Sequence, residues 1–310
     1  MSKVTVVGAG NVGATCANVI AHSEAFNEVV LIDINPDMPA GKALDMWQQA
    51  PIDMYSTRLK GSNDYADTAN SDVVIITAGI PRKPGMTRDD LIATNAKIVT
   101  SVTQQIMQHS HNPIIIVVSN PLDVMTHAAQ KASGLPYTQV FGMAGILDTA
   151  RYRAFLAEAL SVSPKDIQAV LMGGHGDTMV PLPRYTTVAG IPVTELIAAD
   201  KLQAIVDRTK NGGGELVKLM GTSAWYAPGA AAAQMAITII RDEQRIFPVC
   251  AHIDGEYGIK DLYLGVPVKL GKKGITQIIE LQLNAAEQTL LEESAVAVRE
   301  VVTAFDAMGL

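Results

Sequence analysis

The stretch VTVVGAGNVG, residues 4–13, decides the fold. A short apolar run, typical of a buried strand, leads directly into Gly8, Gly10 and Gly13, which have the spacing GxGxxG. Glycines at this spacing allow a tight turn, close backbone approach to a pyrophosphate, and close packing of the next helix on the strand. The start of that helix offers unpaired N–H groups and the positive end of its dipole to phosphates. The stretch therefore predicts a dinucleotide site.

A carboxylate in the right place strengthens this prediction. The second apolar run, EVVLID, ends at Asp33, twenty residues after Gly13. A carboxylate at that point accepts hydrogen bonds from a ribose diol, although an ordinary residue in a turn after a strand would also fit. Its charge would repel a 2′-phosphate, and the following residues 34–36 include no arginine. The predicted cofactor is NAD rather than NADP.

The first half of the chain repeats the pattern of strand and helix. Continuously apolar runs, typical of strands buried on both faces, occur at 4–7, 29–32, 73–77 and 114–118, with a further short strand at 139–142. Segments long enough for crossover helices lie between them, for example 12–22, 41–50 and 88–109. The fold class is therefore α/β, with a Rossmann-type doubly wound parallel sheet.

The second half has a different pattern, in which long helices dominate. Residues 167–173 and a few later runs resemble strands. The clearest helix is the last one, from Asn284 to Met308, where an N-cap at Asn284 and a capping box with Glu287 precede an apolar stripe. We expect an NAD-binding domain at 1–143 and an α+β substrate-binding and catalytic domain at 144–310.

Composition excludes several classes of protein. The chain has 310 residues, 48% of them hydrophobic and 18% charged, with a net charge of -7, which argues against disorder and against nucleic acid as a partner. Cys16 and Cys250 are too far apart and too few for a disulfide framework, and the six histidines form no metal-binding motif. No signal peptide or membrane span is apparent in the sequence, so we expect a cytoplasmic protein.

Two motifs in the second half carry candidate catalytic groups. In GGHGD, residues 173–177, His175 lies among three glycines, which indicates close approach of a ligand, although a structural turn histidine would also fit. In LDTARYR, residues 147–153, Asp148 and Arg151 are three positions apart and so share one helix face. A local ion pair on the surface is the simpler interpretation of that spacing.

Two further motifs lie in the first half. GIPRKPGMTR, residues 79–88, places Arg82, Lys83 and Arg88 in a loop of an acidic chain, which favours a small anion over a plain solvated turn. SNPLD, residues 119–123, interrupts the pattern where a buried strand ends. Ligands of open α/β sheets bind at the carboxyl ends of the strands, so Asn120 is well placed, although a turn-forming Asn-Pro pair explains it almost as simply.

Taken in order, GAGNVG, TAGIPRKPGMTR, VSNPLD, GILDTARYR and GGHGD resemble the lactate/malate dehydrogenase family over essentially the whole chain. The resemblance implies that His175 is the general acid and base and that Asp148 orients it. From the sequence alone, Asp177 is an equally good partner. The resemblance also implies that Arg151 binds the substrate carboxylate and that Arg88, on a closing loop, polarises the carbonyl.

The resemblance further implies that Asn120 binds substrate and cofactor, that Asn95 and the backbone near Val118 contact NAD, and that a cis peptide precedes Pro121. Small residues, Ser223 and Ala224, would line the pocket. The full set of expected cofactor contacts is Gly8, Gly10, Asn11, Val12, Gly13, Asp33, Asn95, Val118 and Asn120.

The position of Arg82 bears on the choice of substrate. One carboxylate and one carbonyl need only Arg151 and Arg88, so a third arginine suits a substrate with a second carboxylate. In the family, the malate enzymes carry arginine at the position of Arg82. The expected substrate pair is malate and oxaloacetate, with an L-lactate or broader 2-hydroxy acid dehydrogenase as the alternative. A regulator that kept the fold but lost catalysis is a third possibility, and the presence of His175, Asp148, Arg88 and Arg151 argues against it.

The resemblance also implies a homo-oligomer, with a tetramer preferred over a dimer.

Overall fold

Strands and helices alternate regularly in the first half of the chain but not in the second. The computed structural model describes residues 1–81 and 87–309, and for Arg88 the backbone only. The strands are β1 Lys3–Val7, β2 Glu28–Ile32, β3 Arg58–Ser62, β4 Val73–Ile76, β5 Ile114–Val117, β6 Val140–Gly142, β7 Ile167–Gln168, β8 Leu171–Met172, β9 Val180–Pro181, β10 Thr187–Val188, β11 Ile191–Pro192, β12 Arg245–Ile253, β13 Leu262–Gly271 and β14 Gly274–Ile278. The helices are α1 Asn11–Ser23, α2 Met38–Asp53, α3 Arg88–His109, α4 Leu122–Ser133, α5 Gly145–Leu160, α6 Val193–Leu196, α7 Ala199–Met220, α8 Tyr226–Ile240 and α9 Ala285–Asp306.

Strands β1 to β6 form a parallel sheet in the order β3-β2-β1-β4-β5-β6. This is the doubly wound order, with the reversal between β1 and β4, and it confirms the Rossmann-type prediction. Both faces are covered because each apolar strand alternates its side chains between two cores. Ile75 belongs to the core that includes Ile20 of α1, whereas its neighbour Ile76 belongs to the core that includes Val99 of α3.

The sheet continues into the second half of the chain. Strand β12 pairs antiparallel with β6 through Cys250 and Gly142, and β13 and β14 extend the sheet, which has nine strands in the part of the chain that the structure describes. A Cβ on Gly142 would lie 2.9 Å from the Cβ of Cys250, so only glycine permits this junction. The continuity across the two halves was not foreseen from the sequence.

Several elements test the sequence predictions directly. The helices expected at 12–22, 41–50 and 88–109 are present as α1, α2 and α3. The prediction of one strand at 167–173 is wrong, because this segment forms the two short strands β7 and β8, and β3 was not predicted.

The last helix has the predicted form. The Asn284 side chain accepts a hydrogen bond from the Glu287 backbone N–H, and the Glu287 carboxylate accepts one from the Asn284 backbone N–H, both at 2.9 Å. The apolar stripe is buried at Leu291, Ala295, Val298 and Phe305 and partly buried at Val302. Among the residues that the structure describes, no helix combines the length and apolar character needed to cross a membrane.

Candidate active site

The glycine turn is built to let a ligand approach the backbone. Strand β1 ends one residue before Gly8, whose φ of +106° is in the region that favours glycine. A Cβ on Gly13 would lie 1.8 Å from the Gly8 carbonyl oxygen, so α1 packs directly on the turn. Gly10, by contrast, has nothing within 4 Å of the Cβ position, and no side chain caps the helix that begins at Asn11. Open space and uncapped N–H groups at the same point fit a pyrophosphate.

Asp33 is attached to this turn. One of its carboxylate oxygens accepts the N–H of Ala9 at 2.7 Å, and the other accepts the N–H of Asn35 at 3.0 Å. The side chain is half-buried at the end of β2, beside the glycine turn. A carboxylate fixed there can accept further hydrogen bonds from a ribose diol, and its charge disfavours a 2′-phosphate. The residues present therefore fit NAD.

The segment after β5 forms a second wall of the site. The Asn120–Pro121 peptide is cis, as the resemblance implied. The Asn95 amide is buried, donates to the Asn120 carbonyl at 2.7 Å and accepts the Ile80 N–H at 2.8 Å. Asn95 therefore holds two chain segments that flank the site, and its direct contact with NAD stays a prediction.

His175 lies in the loop between β8 and β9 and is paired with a carboxylate. Its Nδ1 is 2.8 Å from Oδ2 of Asp148, which is 2% exposed on α5. Because a carboxylate can only accept, Nδ1 carries the hydrogen and Nε2 is left for another partner. The other oxygen of Asp148 accepts from Arg151 at 3.0 Å. Asp177 is exposed, and no hydrogen bond joins it to His175 in the part of the chain that the structure describes, so the geometry pairs His175 with Asp148.

The surroundings of His175 set its proton affinity. Burial alone would lower the pKa of His175. The charge and the hydrogen bond of Asp148, with the charge of Asp123 added, outweigh both burial and the opposing charge of Arg151. The pKa of His175 is therefore raised above its usual value, which favours a protonated imidazole near neutral pH.

His175, Arg151 and Asn120 line one cavity of about 420 Å³ at the carboxyl ends of the parallel strands, whereas Asp33, Asn95 and Asp148 are not among its lining residues. Arg151 and Lys210 supply its described cations, and Gly212 lets α7 pack against the Arg151 side chain, with a Cβ position 3.3 Å from Arg151 Cδ. The lining residues are Val12, Val118, Asn120, Met143, Leu147, Arg151, His175, Gly176, Met179, Lys210, Gly213, Gly214, Val217, Ser223, Ala224 and Pro228. The expected pocket residues Ser223 and Ala224 are among them.

A larger cavity of about 590 Å³ lies at the opposite end of the sheet, beside the residues where β4 and β5 begin. Size alone would favour it. Ligands of doubly wound sheets bind at the carboxyl ends of the strands, and the smaller cavity is lined by His175, which is paired with Asp148, and by Val12 of the glycine motif. We therefore assign the active site to the smaller cavity.

Comparison with known proteins agrees with this geometry. The family model for the lactate/malate dehydrogenase NAD-binding domain matches residues 2–142, and that for the α/β C-terminal domain of the same family matches residues 146–307. The chain belongs to the lactate/malate dehydrogenase family. It is therefore an NAD-dependent oxidoreductase with a Rossmann-like cofactor domain and a C-terminal α/β domain.

Individual members of the family are similar over the full length. A malate dehydrogenase of Cytophaga hutchinsonii is 66% identical over 99% of this chain and 98% of its own. The solved structure of malate dehydrogenase from Salinibacter ruber has a TM-score of 0.96 at 56% identity, covering 99% of this chain and 98% of that one. A lactate dehydrogenase of Cryptosporidium parvum, solved with lactic acid and nicotinamide adenine dinucleotide, has a TM-score of 0.94 at 38% identity and 98% coverage of both chains. The fold alone thus does not distinguish lactate from malate.

The predicted substrate contacts of the 79–88 stretch fall largely outside the described residues. Arg82 lies outside the described residues, as does Lys83, and the side chain of Arg88 is not described. The backbone of Arg88 begins α3, directly after Thr87, which forms a capping box with Asp90. The substrate contacts of Arg82 and Arg88 remain predictions.

Several cavity residues were missed by sequence reasoning, chiefly those of α7. The run NGGG, residues 211–214, contained a usable signal. Each glycine inside a helix costs about 1 kcal/mol relative to alanine, so three in a row indicate that something must approach that helix closely. In the structure, Gly212 packs against Arg151, and Gly213 and Gly214 line the cavity.

Proposed function

We propose that this chain is an NAD-dependent malate dehydrogenase, which interconverts (S)-malate and oxaloacetate. The observation that carries the proposal is the hydrogen-bonded series His175–Asp148–Arg151, of which His175 and Arg151 line the cavity beside the glycine turn. It combines a group that can gain and lose a proton with a cation for a carboxylate. The malate dehydrogenases at up to 66% identity over the whole chain support the same substrate.

His175 would move the proton. When bound, NADH supplies the hydride that reduces the ketone carbon. Negative charge then develops on the substrate oxygen, and the protonated imidazole donates its Nε2 hydrogen to it. Asp148 stabilises the protonated ring and holds the tautomer in which Nδ1 carries hydrogen. In the reverse direction, the neutral ring uses the free Nε2 as a base toward the alcohol.

Arg151 would hold the carboxylate next to the reacting carbon. One of its terminal nitrogens donates to Asp148, which fixes the guanidinium against the same carboxylate that orients His175. Guanidinium has five N–H donors, so it can bind a substrate carboxylate in a bidentate manner as well. The buried Asp148 side chain would then position both the substrate, through Arg151, and the acid, His175.

Arg82 and Arg88 would complete the recognition of a dicarboxylate, with Arg88 aimed at the developing oxyanion and Arg82 at the second carboxylate. Leaving one partner of a buried charge pair empty costs about 2–5 kcal/mol. Since about 1.4 kcal/mol is a factor of ten, oxaloacetate would be preferred over pyruvate by roughly 30-fold to several thousand-fold.

The substitution Arg82→Gln tests this assignment, with Lys83→Gln as a control that removes an adjacent charge. We expect Arg82→Gln to lower kcat/KM for oxaloacetate far more than for pyruvate, and Lys83→Gln to change both little. An oxaloacetate preference that survives Arg82→Gln would contradict the assignment and would point to another cation, such as Lys210 on the cavity wall.

We further propose a division into an NAD-binding domain at 1–143 and a substrate and catalytic domain at 144–310. The change from parallel to antiparallel strand order after β6 supports it. We also propose a cytoplasmic location, which the two buried free thiols of Cys16 and Cys250 fit.

We propose a homo-oligomer, a tetramer in preference to a dimer. Large apolar side chains on and just after α2 support burial against another copy, since Leu44, Trp47, Ile52 and Met54 are 57%, 45%, 78% and 82% exposed. Light scattering should give about four times the chain mass of 32.9 kDa, and a monomeric mass would contradict any homo-oligomer.

A further inference from the structure

Asp123 is a buried carboxyl group directly behind His175. It is the last residue of the SNPLD motif and the second residue of α4, and it is only 9% exposed. Its Oδ2 accepts the main-chain N–H of His175 at 3.2 Å, and its Oδ1 has no hydrogen-bond partner among the described residues. Burial raises the pKa of the Asp123 carboxyl. Burial of a carboxyl group with an unpaired oxygen costs free energy, which suggests that Asp123 has a functional role.

An acidic residue in the first turn of a helix often serves only that helix. Asp123 differs because its hydrogen bond goes to a loop 52 positions further along the chain. It also lines a small cavity of about 90 Å³ with His175 and Thr178, bounded by Val298 and Val301 of α9. The carboxyl group is thus directed at the catalytic loop and not at the start of α4.

The loop that carries His175 is held by three consecutive backbone N–H groups. Gly173 donates to the Gly265 carbonyl of β13 at 2.9 Å, Gly174 donates to the hydroxyl of Ser294 at 2.8 Å, and His175 donates to Asp123. Asp123 is the only acidic group of these three acceptors. It is also the one whose donor is the catalytic residue itself.

We propose that Asp123 is a positioning residue of the reaction, which holds the main chain of His175 so that its ring meets Asp148 on one side and the substrate on the other. His175 would then be fixed at two points, at Nδ1 of its ring by Asp148 and at its backbone N–H by Asp123. The anchor matters because the loop contains Gly173 and Gly176, with φ of +84° and +147°, and so has little stiffness of its own. This inference rests on the proposed function.

The charges around His175 determine what removal of Asp123 does to its protonation. Asp148 and Arg151 face it from α5 and Asp123 from α4, while Asp177 lies on its own loop and Lys210 on the cavity wall formed by α7. Loss of Asp123 removes a carboxyl group whose ionised form favours the protonated ring, and it also loosens the contact with Asp148. Both effects disfavour the protonated ring, so the pKa of His175 should fall.

The test compares Asp123→Leu with Asp123→Asn, which keeps an acceptor oxygen for the His175 N–H. Ser294→Ala is the matched control, since it removes the neighbouring anchor at Gly174 and leaves that of His175 intact. For Asp123→Leu we expect kcat for oxaloacetate to fall by about 100-fold, the loss typical of a catalytic group displaced by about 1 Å. NADH affinity, measured by fluorescence titration, should be unchanged, and Asp123→Asn should recover most of the rate. Ser294→Ala should leave the pH profile of kcat in place.

The pKa of His175 is read independently of turnover by NMR titration, with its signal assigned from a His175→Gln sample. A pKa of His175 that is lower in Asp123→Leu than in Asp123→Asn supports the proposal, because both variants lose the charge and only Asp123→Leu loses the acceptor of the His175 N–H. An unchanged pKa with near wild-type kcat overturns it, and so does a loss of NADH affinity equal to the loss of kcat, which would assign Asp123 to the Asn120 segment instead. Failure of the wild-type protein to reduce oxaloacetate would refute the proposed function, and the NMR comparison would still decide the role of Asp123.

Discussion

The substitution Asp148→Asn should damage catalysis by imposing the wrong tautomer on His175. In the native structure Arg151 donates to one oxygen of Asp148 and His175 donates to the other. The introduced amide has only one oxygen, and the guanidinium can only donate, so that single oxygen should turn toward Arg151. The amide NH₂ would then face Nδ1 of His175 and favour the ring that carries hydrogen on Nε2, which cannot act as a base there.

The size of the effect follows from the contact that is lost. A hydrogen bond to a charged group contributes about 1.5–3 kcal/mol, and one pKa unit corresponds to about 1.36 kcal/mol. The pKa of His175 should therefore fall by about one to two units. Ketone reduction needs the protonated ring, so the wild-type rate should hold below the raised pKa of His175 and decline as pH rises through it. In the variant, the decline should begin about one to two units lower, so at pH values above the wild-type pKa of His175 the rate should be roughly 10-fold to 100-fold lower than in the wild type.

The assay is the pH dependence of kcat/KM for oxaloacetate at saturating NADH, followed by NADH absorbance. Asp177→Asn is the control, because it removes an exposed carboxylate two residues from His175 that makes no described hydrogen bond to it. We expect that control to resemble wild type. If Asp148→Asn kept the wild-type profile, or if Asp177→Asn shifted it equally, the pairing of His175 with Asp148 would not be the functional one.

Three further substitutions test the cofactor site and the fold. Asp33→Ser should raise the ratio of kcat/KM for NADPH to kcat/KM for NADH, because it removes a negative charge beside the ribose site. An unchanged ratio would mean that Asp33 does not determine the choice of cofactor. Gly13→Ala should abolish NADH binding in a fluorescence titration or lower the free energy of unfolding by at least about 1–3 kcal/mol, because the new Cβ would lie 1.8 Å from the Gly8 carbonyl oxygen. Wild-type NADH binding together with wild-type stability would contradict this packing. Asn284→Ala should cost about 1 kcal/mol in denaturant unfolding with kcat unchanged, and no loss of stability would mean that the capping box does not hold α9 in place.

The first half of the fold could be predicted because its signals are local. Four continuously apolar runs and one glycine turn specify buried parallel strands and their first crossover, and the sheet order follows the doubly wound pattern. Strand β3 escaped detection because it lies at the edge of the sheet and its sequence RLKGS is partly exposed.

The second half resisted prediction for a different reason. Strands β12 and β13 contain Pro248 and Pro267, and proline within an apolar run argues against an interior strand. In the structure these two prolines lie directly opposite each other in a long antiparallel pair. The junction of β12 with β6 depends on a single close contact at Gly142, which no periodicity reveals.

The site shows the same limit. Spacing placed Asp148 and Arg151 on one helix face but left Asp177 an equally good partner of His175; the family resemblance implied Asp148, and the hydrogen bond in the structure agrees with it. Asp123 belongs to the SNPLD motif, in which the sequence pattern indicated only Asn120 as a functional residue, and its contact with His175 spans 52 positions. Contacts between elements so far apart in the chain depend on how the two halves pack, which sequence patterns do not specify.

The most direct test of the central claim is the ratio of kcat/KM values for oxaloacetate and pyruvate, measured with NADH on the wild-type protein. A malate dehydrogenase should favour oxaloacetate by at least about 30-fold, the lower bound set by an unpaired buried charge. If pyruvate were the better substrate, the claim would be contradicted and the chain would be a lactate dehydrogenase within the same family.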